Sequence, residues 1–383
     1  MVQQKDLPIL SQRTVRLILL AAFALTHLII WKIQGVVYVD EAAKYIRIAT
    51  SLYEQGKFGD QKFIVYLPVI LLIYCCKLLQ LPLFVAILIQ TVFAGLALLK
   101  FYSIACEIGS KKTGFIAAIF LATCIPIHRW NLTLYSESIF ISLLIFFLGF
   151  VYKYRHDLYS KKYWIIAFSV LLSFSRPHGL LFIPSILIYL FLNASDIKKR
   201  IRILLLSIIM IASLFALALF IFEGGGGMDA MKPFKESHVI CYIPTKEKMP
   251  ALDIVETGSV YNDLLYYITH NKVHFIKLTA LKLKSFFLIT RTHYSTVQNT
   301  YLTVLILILY PFTLFGIFRV VTTKNPFLLY LLVTLIIYPL ACTLQCDDWH
   351  ARFTVPILPH IILIASFGLH QLTIKSCKNN NEL

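Results

Sequence analysis

Apolar stretches recur along the whole chain, at 17–37, 63–80, 83–105, 113–128, 135–152, 162–175, 177–193, 201–222, 300–318, 326–344 and 352–370. Most approach the ~20 residues that a helix needs to cross the hydrocarbon core of a bilayer. The pattern predicts an all-α fold, a polytopic transmembrane helical bundle of about 11 spans with amphipathic helices on its outer face. The first stretch, 17–37, is too long for the core of a signal peptide, and no small-residue cleavage site follows it. It reads as a retained span. The two stretches on either side of Arg176 and Pro177 are shorter than a full crossing. Pro177 explains the break, because proline removes one backbone donor and clashes with the preceding turn.

Two polar interruptions stand out. In the first, residues 38–60, apolar residues recur at Ala42, Tyr45, Ile46, Ala49, Leu52 and Tyr53, while Lys44, Arg47 and Glu54 populate the other side. This is a short amphipathic helix that ends near Gly56. The second, 223–299, opens with GGGG at 224–227. A phosphate loop would need a preceding strand and a Gly-Lys-Ser/Thr start to a helix, so the glycines read as a hinge. Further on, Val273, Ile276, Ala280, Leu283 and Phe287 follow helical spacing behind Asn271 at an N-cap position, accompanied by Lys272, Lys277, Lys282 and Lys284. Such a helix suits the headgroup region of a membrane; packing on the bundle is the other placement. The organisation expected is an N-terminal transmembrane module (1–222, with the first outer loop at 38–62), an outer-face loop with an amphipathic helix (223–299), and C-terminal transmembrane helices with a cytoplasmic tail (300–383). No internal repeat is visible.

Composition agrees with a membrane protein: 58% of residues are hydrophobic and mean hydropathy is +0.76. The net charge of +17 does not point to nucleic acid, because the basic residues gather beside apolar runs. Arg13 and Arg16, Lys161 and Lys162, IKKRIR at 197–202, and Arg319 with Lys324 mark cytoplasmic loops. That orientation leaves Asp40, Glu41, Glu137, Arg176, 223–299, Asp347 and Asp348 on the outer side. Lys111 and Lys112 conflict with it. They look cytoplasmic, which demands an odd number of crossings between 62 and 111, where the pattern offers two apolar runs split at Pro82. Either one run is re-entrant or the two lysines lie outside. The eight cysteines show no zinc or disulfide spacing. Cys75, Cys76, Cys106 and Cys124 lie in or beside apolar runs, where a thiol is a small hydrophobe. Cys342 and Cys346 could share a helix face, but nothing near them completes a metal site.

Asp40 and Glu41 follow the first span directly. Asp40 falls at the N-cap of the amphipathic helix and Glu41 in its first turn, where negative charge is favoured. A rigidly held carboxylate there also makes a good general base, or one half of a divalent-cation site. Glu137, Arg176 and His178 are further polar residues within or beside apolar runs, and such residues are functional candidates by default. Glu137 is placed either for chemistry or for a helix N-terminus. Arg176 can grip a phosphate with its planar fork of donors, or pair structurally with Glu137 or Asp40. His350 and Arg352 flank the last span beside Asp347, Asp348 and Trp349. Arg291 and His293 are weaker candidates.

The stretch VDEAAKYIRIATSLYEQGKFGD (39–60) resembles the first outer loop of polytopic C-type glycosyltransferases, the GT-C fold, in the branch of aminoarabinose lipid A transferases and protein O-mannosyltransferases. LSFSRPHGLLFIPSILIYL (172–190) looks like that family's helix break. NDLLYYITHNKVHFIKLTALKLKSFF (262–287) looks like its outer amphipathic segment, and DDWHARFTVPILPHIILIAS (347–366) like its late Arg-aromatic-x-x-Pro-x-x-Pro span. The resemblance implies an inverting glycosyltransferase of the cell inner membrane. It would pass a sugar from a polyprenyl-phosphate donor to a glycan, lipid or protein acceptor on the periplasmic side, with Glu137 near the catalytic cavity and Arg352 on the donor's phosphate. In that scheme Asp40, with Glu41 and Glu137 beside it, supplies the base, and Arg176, His178, His350 and Arg352 face the phosphate. Relatives differ in their use of metal, which stays open, as does a transporter, flippase or polymerase/ligase acting on lipid-linked glycans. No nucleic-acid partner is expected.

Overall fold

The computed structural model describes residues 11–194, 196–205, 208, 231–323 and 325–379. The chain is helical nearly throughout, and its starts and stops follow local chemistry. Ser11 accepts from the Thr14 N–H to open α1 (Gln12–Gln34). Gly56, at φ +65, closes α2 (Glu41–Gln55) in the left-handed conformation glycine adopts without penalty. A 3₁₀ turn (Gln61–Tyr66) leads into α3 (Leu67–Leu78), and Pro82 precedes α4 (Leu83–Ile108). Ser110 and Thr113 form a reciprocal capping box on α5 (Lys111–Ala122). The short α6 (Ile125–His128) and a 3₁₀ turn (Arg129–Leu132) precede α7 (Ser136–Lys153). The predicted break appears as α8 (Lys162–Ser175), a 3₁₀ turn (Pro177–Leu181) and α9 (Phe182–Leu192).

Beyond residue 230 come α10 (Lys232–Lys235), a two-stranded antiparallel hairpin of β1 (His238–Ile240) and β2 (Ile243–Pro244), α11 (Val260–His270) and α12 (Lys272–Leu288). Three long helices follow, α13 (Thr296–Thr323), α14 (Pro326–Cys342) and α15 (Leu358–Asn379). Asn325 caps α14 by accepting from the N–H groups of Phe327 and Leu328, with Pro326 in the first turn.

The expected all-α architecture with apolar, membrane-type helices is present, but the described residues do not confirm about 11 spans. Six helical stretches among the described residues are long and apolar enough to cross a bilayer, and seven if the bent pair Lys111–Ala122 and Ile125–Leu132 counts as one. The runs at 162–175, 177–193 and 326–344 form helices of 14, 11 and 17 residues, which are short for a full crossing. Most of the run 201–222, and the glycines at 224–227 read as a hinge, lie outside the described residues.

The chain divides into two compact units. The first comprises Met1–Arg155, Val170–Pro177 and Ile362–Leu383. Here Gln34, at the end of α1, donates to the carbonyl of Arg129, while Gln90, two turns into α4, donates to the carbonyls of Asn131 and Thr133 at 2.8 and 2.9 Å. Deeper in both helices, Phe23 packs against Gly95, 3.6 Å from where a Cβ would stand. α1 and α4 therefore run antiparallel, and the stretch 35–82 returns to the end it left. Lys111 and Lys112, beyond the far end of α4, therefore share an end of the helices with Arg13 and Arg16. α2 packs on the segment Gln61–Leu78 through Tyr45, whose ring lies 5.2 Å from that of Tyr66, and buries Ala42, Ile48 and Ala49.

The second unit comprises His156–Ser169 and His178–Ile361. Its polar portion is built on a small core of Met231, Phe234, Tyr267 and Leu278. A disulfide joins Cys241 to Cys346, with their Cα atoms 4.9 Å apart. The expectation that the cysteines are unpaired is thus corrected. The partners stand 105 residues apart, and only folding brings them together.

Gly114 fixes how closely α5 approaches α4. A Cβ there would stand 2.6 Å from the backbone nitrogen of Cys106 and 2.7 Å from its Cα. Alanine gains about 1 kcal/mol of helix propensity over glycine, whereas overpacking against backbone costs roughly 1–3 kcal/mol. Gly114→Ala should therefore lower the thermal midpoint of the protein in detergent. Because the clash is with backbone, adding Cys106→Ala should not restore it.

Candidate functional site

The acidic loop of the first unit is built on an unusual turn. The Ala42 N–H donates to the Val39 carbonyl at 3.2 Å, closing a turn in which Asp40 has φ +57 and ψ −115. Those are the angles of the first central residue of a type II′ turn, a place dominated by glycine because a Cβ is crowded there. Asp40 occupies the N-cap position of α2, as the sequence suggests, yet its side chain makes no capping hydrogen bond. The carboxylate stands exposed. The capping account of Asp40 is therefore corrected: the fold does not use this acid to start the helix. Glu41, next along, accepts from the Tyr45 hydroxyl at 3.2 Å, one turn into α2.

The acidic loop is fastened to the turn before α7. The Val37 N–H donates to Leu132 at 3.0 Å and the Leu134 N–H to Val37 at 3.1 Å. That turn is in turn held by Gln90 and by Asn131, whose amide nitrogen lies 3.0 Å from His27 Nε2 and 3.2 Å from His128 Nδ1. The other nitrogen of each ring bonds a backbone carbonyl, Phe23 for His27 and Leu121 for His128. A carbonyl only accepts, so these nitrogens carry the protons, and both rings present a bare nitrogen to Asn131. Ser138 donates to Asn131 Oδ1 at 2.7 Å, which completes the set.

Glu137 opens α7 and is fully buried. Its Oε1 lies 2.5 Å from Nη1 of Arg176, itself almost inaccessible at the end of α8. Of the sequence-level candidates in this unit, Glu137 and Arg176 are thus brought together as an ion pair, the structural alternative for Arg176, while Glu137 also stands in the first turn of α7. Removing one partner from such a pair costs about 3–5 kcal/mol, because the other charge stays buried.

In the second unit the loop after α14 gathers the rest. Asp347 is buried and paired with Arg291, and its Oδ1 accepts from the Asp348 N–H at 2.8 Å. Burial pushes the Asp347 carboxyl up to about 6 against the pull of Arg291. The backbone of Asp347 pairs with Val239 and Cys241, next to the disulfide, and the Trp349 indole donates to the Cys241 carbonyl. Arg352 is buried, with a long ion pair to Asp348 at 3.9 Å. His350 is exposed, and its backbone N–H donates to Asp348. His178 stacks on Phe353 and lies 2.6 Å from the Gln345 amide. His293 and Tyr294 both reach the Trp349 carbonyl.

α12 turns the start of its expected stripe outward. It buries His274, Leu278, Lys282 and Phe286, and leaves Val273 71% and Ile276 66% exposed. Asn271 precedes it, but its side chain bonds the backbone of Asp253 on both sides and does not cap the helix. His274 bridges the Ser237 hydroxyl and the Tyr267 hydroxyl, at 2.9 and 2.7 Å. Lys282 donates to the Thr343 carbonyl at 2.9 Å and lies over the Phe234 ring.

Among the described residues no three His, Cys, Asp or Glu side chains converge as a metal site would require. The residues that sequence reasoning missed are Asn131, Gln90, His27, His128 and Lys282. All except His128 and Asn131, which lie in the turn region, sit within apolar or amphipathic helices, and their polarity there was the available signal. The fold and these clusters define a helical membrane protein with an acidic loop beside its first span and a disulfide-braced polar segment before its last helices. The sequence matches no protein-family model, no curated protein and no solved structure.

Burial holds the Lys282 ammonium down at about 7, from 10.5. Between those values the unfolded chain keeps the proton and the folded chain has released it. Stability therefore rises with pH across that window and gains nothing further above it. Lys282→Met should abolish the rise, measured by chemical unfolding of the purified protein at pH 7 and pH 9. An unchanged slope in the variant would show that the ammonium does not control it.

Proposed function

We propose that the protein is an inverting, membrane-embedded glycosyltransferase of the C-type, which moves a sugar from a polyprenyl-phosphate donor to a glycan, lipid or protein acceptor on the outer face of the inner membrane. The observation that carries this reading is Asp40. It is an exposed carboxylate held beside the first span in a backbone conformation made for glycine, and its side chain does no capping. A non-glycine residue in such a conformation costs on the order of 1–3 kcal/mol and marks functional sites. The transfer needs a base to take the acceptor's proton, which is the role given to Asp40, with Glu41 adjacent. It also needs a cation for the charge that develops on the phosphate. Arg352 suits that role better than Arg176, whose guanidinium is committed to Glu137; His350 is the second candidate beside it.

The disulfide supports the outer placement of 231–299 and of the loop at 343–354, because disulfides persist in the periplasm and outside cells and are rare in the cytosol. A transporter or flippase for lipid-linked glycans draws on a different observation, the buried Glu137–Arg176 pair, since transporters keep charge inside the helices.

Two experiments test the reading. Asp40→Asn keeps size and polarity but cannot accept a proton, so transfer should slow by about 10²–10⁴-fold in membranes supplied with polyprenyl-phosphate sugars. Asp40→Gly should be as inactive and also melt at a higher temperature, because glycine relieves the turn. Transfer by Asp40→Asn close to the parent rate would move the base to Glu41 or Glu137.

For the face, protein taken from cells under thiol-blocking conditions should migrate differently on reduction, and Cys346→Ser should remove the difference. A mobility in cells that never depends on reductant would overturn the outer placement.

A further inference from the structure

α12 is built inside out. At about 100° per residue, the side chains of His274, Leu278, Lys282 and Phe286 centre on one side of the helix, and those of Val273, Ile276, Ala280, Leu283 and Phe287 centre roughly 160° away. The first set is buried, including a lysine and a histidine at 3% and 1% exposure. Of the second set, Val273, Ile276 and Ala280 are exposed, and Leu283 and Phe287 are half-buried. A helix in water does the reverse. Exposing valine and isoleucine while burying an ammonium is favourable only where the outer medium is itself apolar.

We infer that α12 lies in the interface of the bilayer, with the Val273–Ile276–Ala280 stripe seated at the boundary of headgroups and acyl chains and the exposed Lys272 and Lys284 on anionic phospholipid headgroups. Charge complementarity supports this occupant. α12 carries Lys272, Lys277, Lys282 and Lys284 and no acidic residue. Lys272 borders the apolar stripe on one side and Lys284 on the other, where Lys277 is instead held by the Lys248 carbonyl. From both borders the flexible stems reach up while the ammonium groups stay at headgroup level. Continuity supports it too. α13, apolar enough to span, begins eight residues after α12 ends, and Val297 in its first turn is 81% exposed. The stripe is thus followed closely in the chain by a span whose first turn exposes an aliphatic side chain. Lys282, on the opposite side, is the residue this geometry forces inward, and Thr343 and Phe234 receive it.

The test uses the full chain with the six cysteines outside the disulfide replaced, reconstituted in vesicles of equal parts phosphatidylcholine and phosphatidylglycerol. Nitroxide labels are placed singly at Ile276, at Ala280 and, as an exposed control, at Lys246. Relaxation by oxygen, which concentrates in hydrocarbon, is compared with relaxation by a water-soluble nickel chelate. The oxygen-to-nickel ratio should be severalfold higher at Ile276 and Ala280 than at Lys246. Lys272→Glu with Lys284→Glu should lower the ratio at Ile276 in the mixed vesicles and leave it nearly unchanged in phosphatidylcholine alone. Labels at Ile276 and Ala280 as nickel-accessible as Lys246 would overturn the inference. So would labels shielded from both reagents, which would mean that protein covers the stripe.

Discussion

An irregular turn buried among apolar helices must have its carbonyls answered from within the protein, since no water is at hand to do so. In the first unit Gln90 and Asn131 meet that demand. Gln90 reaches the carbonyls of Asn131 and Thr133 from inside α4, and Asn131 uses both amide hydrogens on His27 and His128 and its oxygen on Ser138. Once the turn is fixed, the rest follows in order. Val37 pairs with it by backbone, which sets where the chain leaves α1. Three residues later comes Asp40, and a few residues beyond the turn Glu137 begins α7 and meets Arg176. A change at Gln90 would therefore be felt at the acidic loop without touching it.

The second unit solves a different problem, that of holding a loop without regular structure. Residues 343–354 contain little helix, and they are pinned by covalent, ionic and backbone links at once: Cys346 to Cys241, Asp347 to Arg291, and the Asp347 backbone to Val239 and Cys241. Thr354 adds a bond to the Phe286 carbonyl at the end of α12. Arg352 is thereby held on a rigid support, which is what a phosphate-binding arginine needs if its fork of donors is to be positioned in advance.

Much of the architecture was legible from periodicity. The helix from 41 to 55 buries half of the predicted stripe, Ala42, Tyr45 and Ala49, and the break at Arg176 falls where Pro177 put it, because both follow from local geometry. The count of about 11 spans is not confirmed for a local reason as well: the apolar runs at 162–175, 177–193 and 326–344 look like spans in sequence, yet they make helices of only 14, 11 and 17 residues. The positive φ of Asp40 could not be read, since sequence places aspartate at an N-cap for its side chain and says nothing of a turn that turns that side chain away. The disulfide was hidden by its 105-residue separation. In α12 the pattern left the aliphatic stripe to face either lipid or the bundle, and it did not show that Lys282 turns inward. Lysine carries a long apolar stem, and pattern alone does not say which side of a helix is dry.

The two cysteines of the disulfide enclose α13 and α14, the span and the shorter apolar helix that follows it. Cys241 leaves the ribosome well before either helix, and Cys346 directly after both. The bond can close only when both cysteines lie on one side, so α13 and α14 either both cross a bilayer or neither does. Oxidation of this pair is therefore a late event in biogenesis, and the bonded form is a chemical record that the chain leaves α14 on the side from which it entered α13.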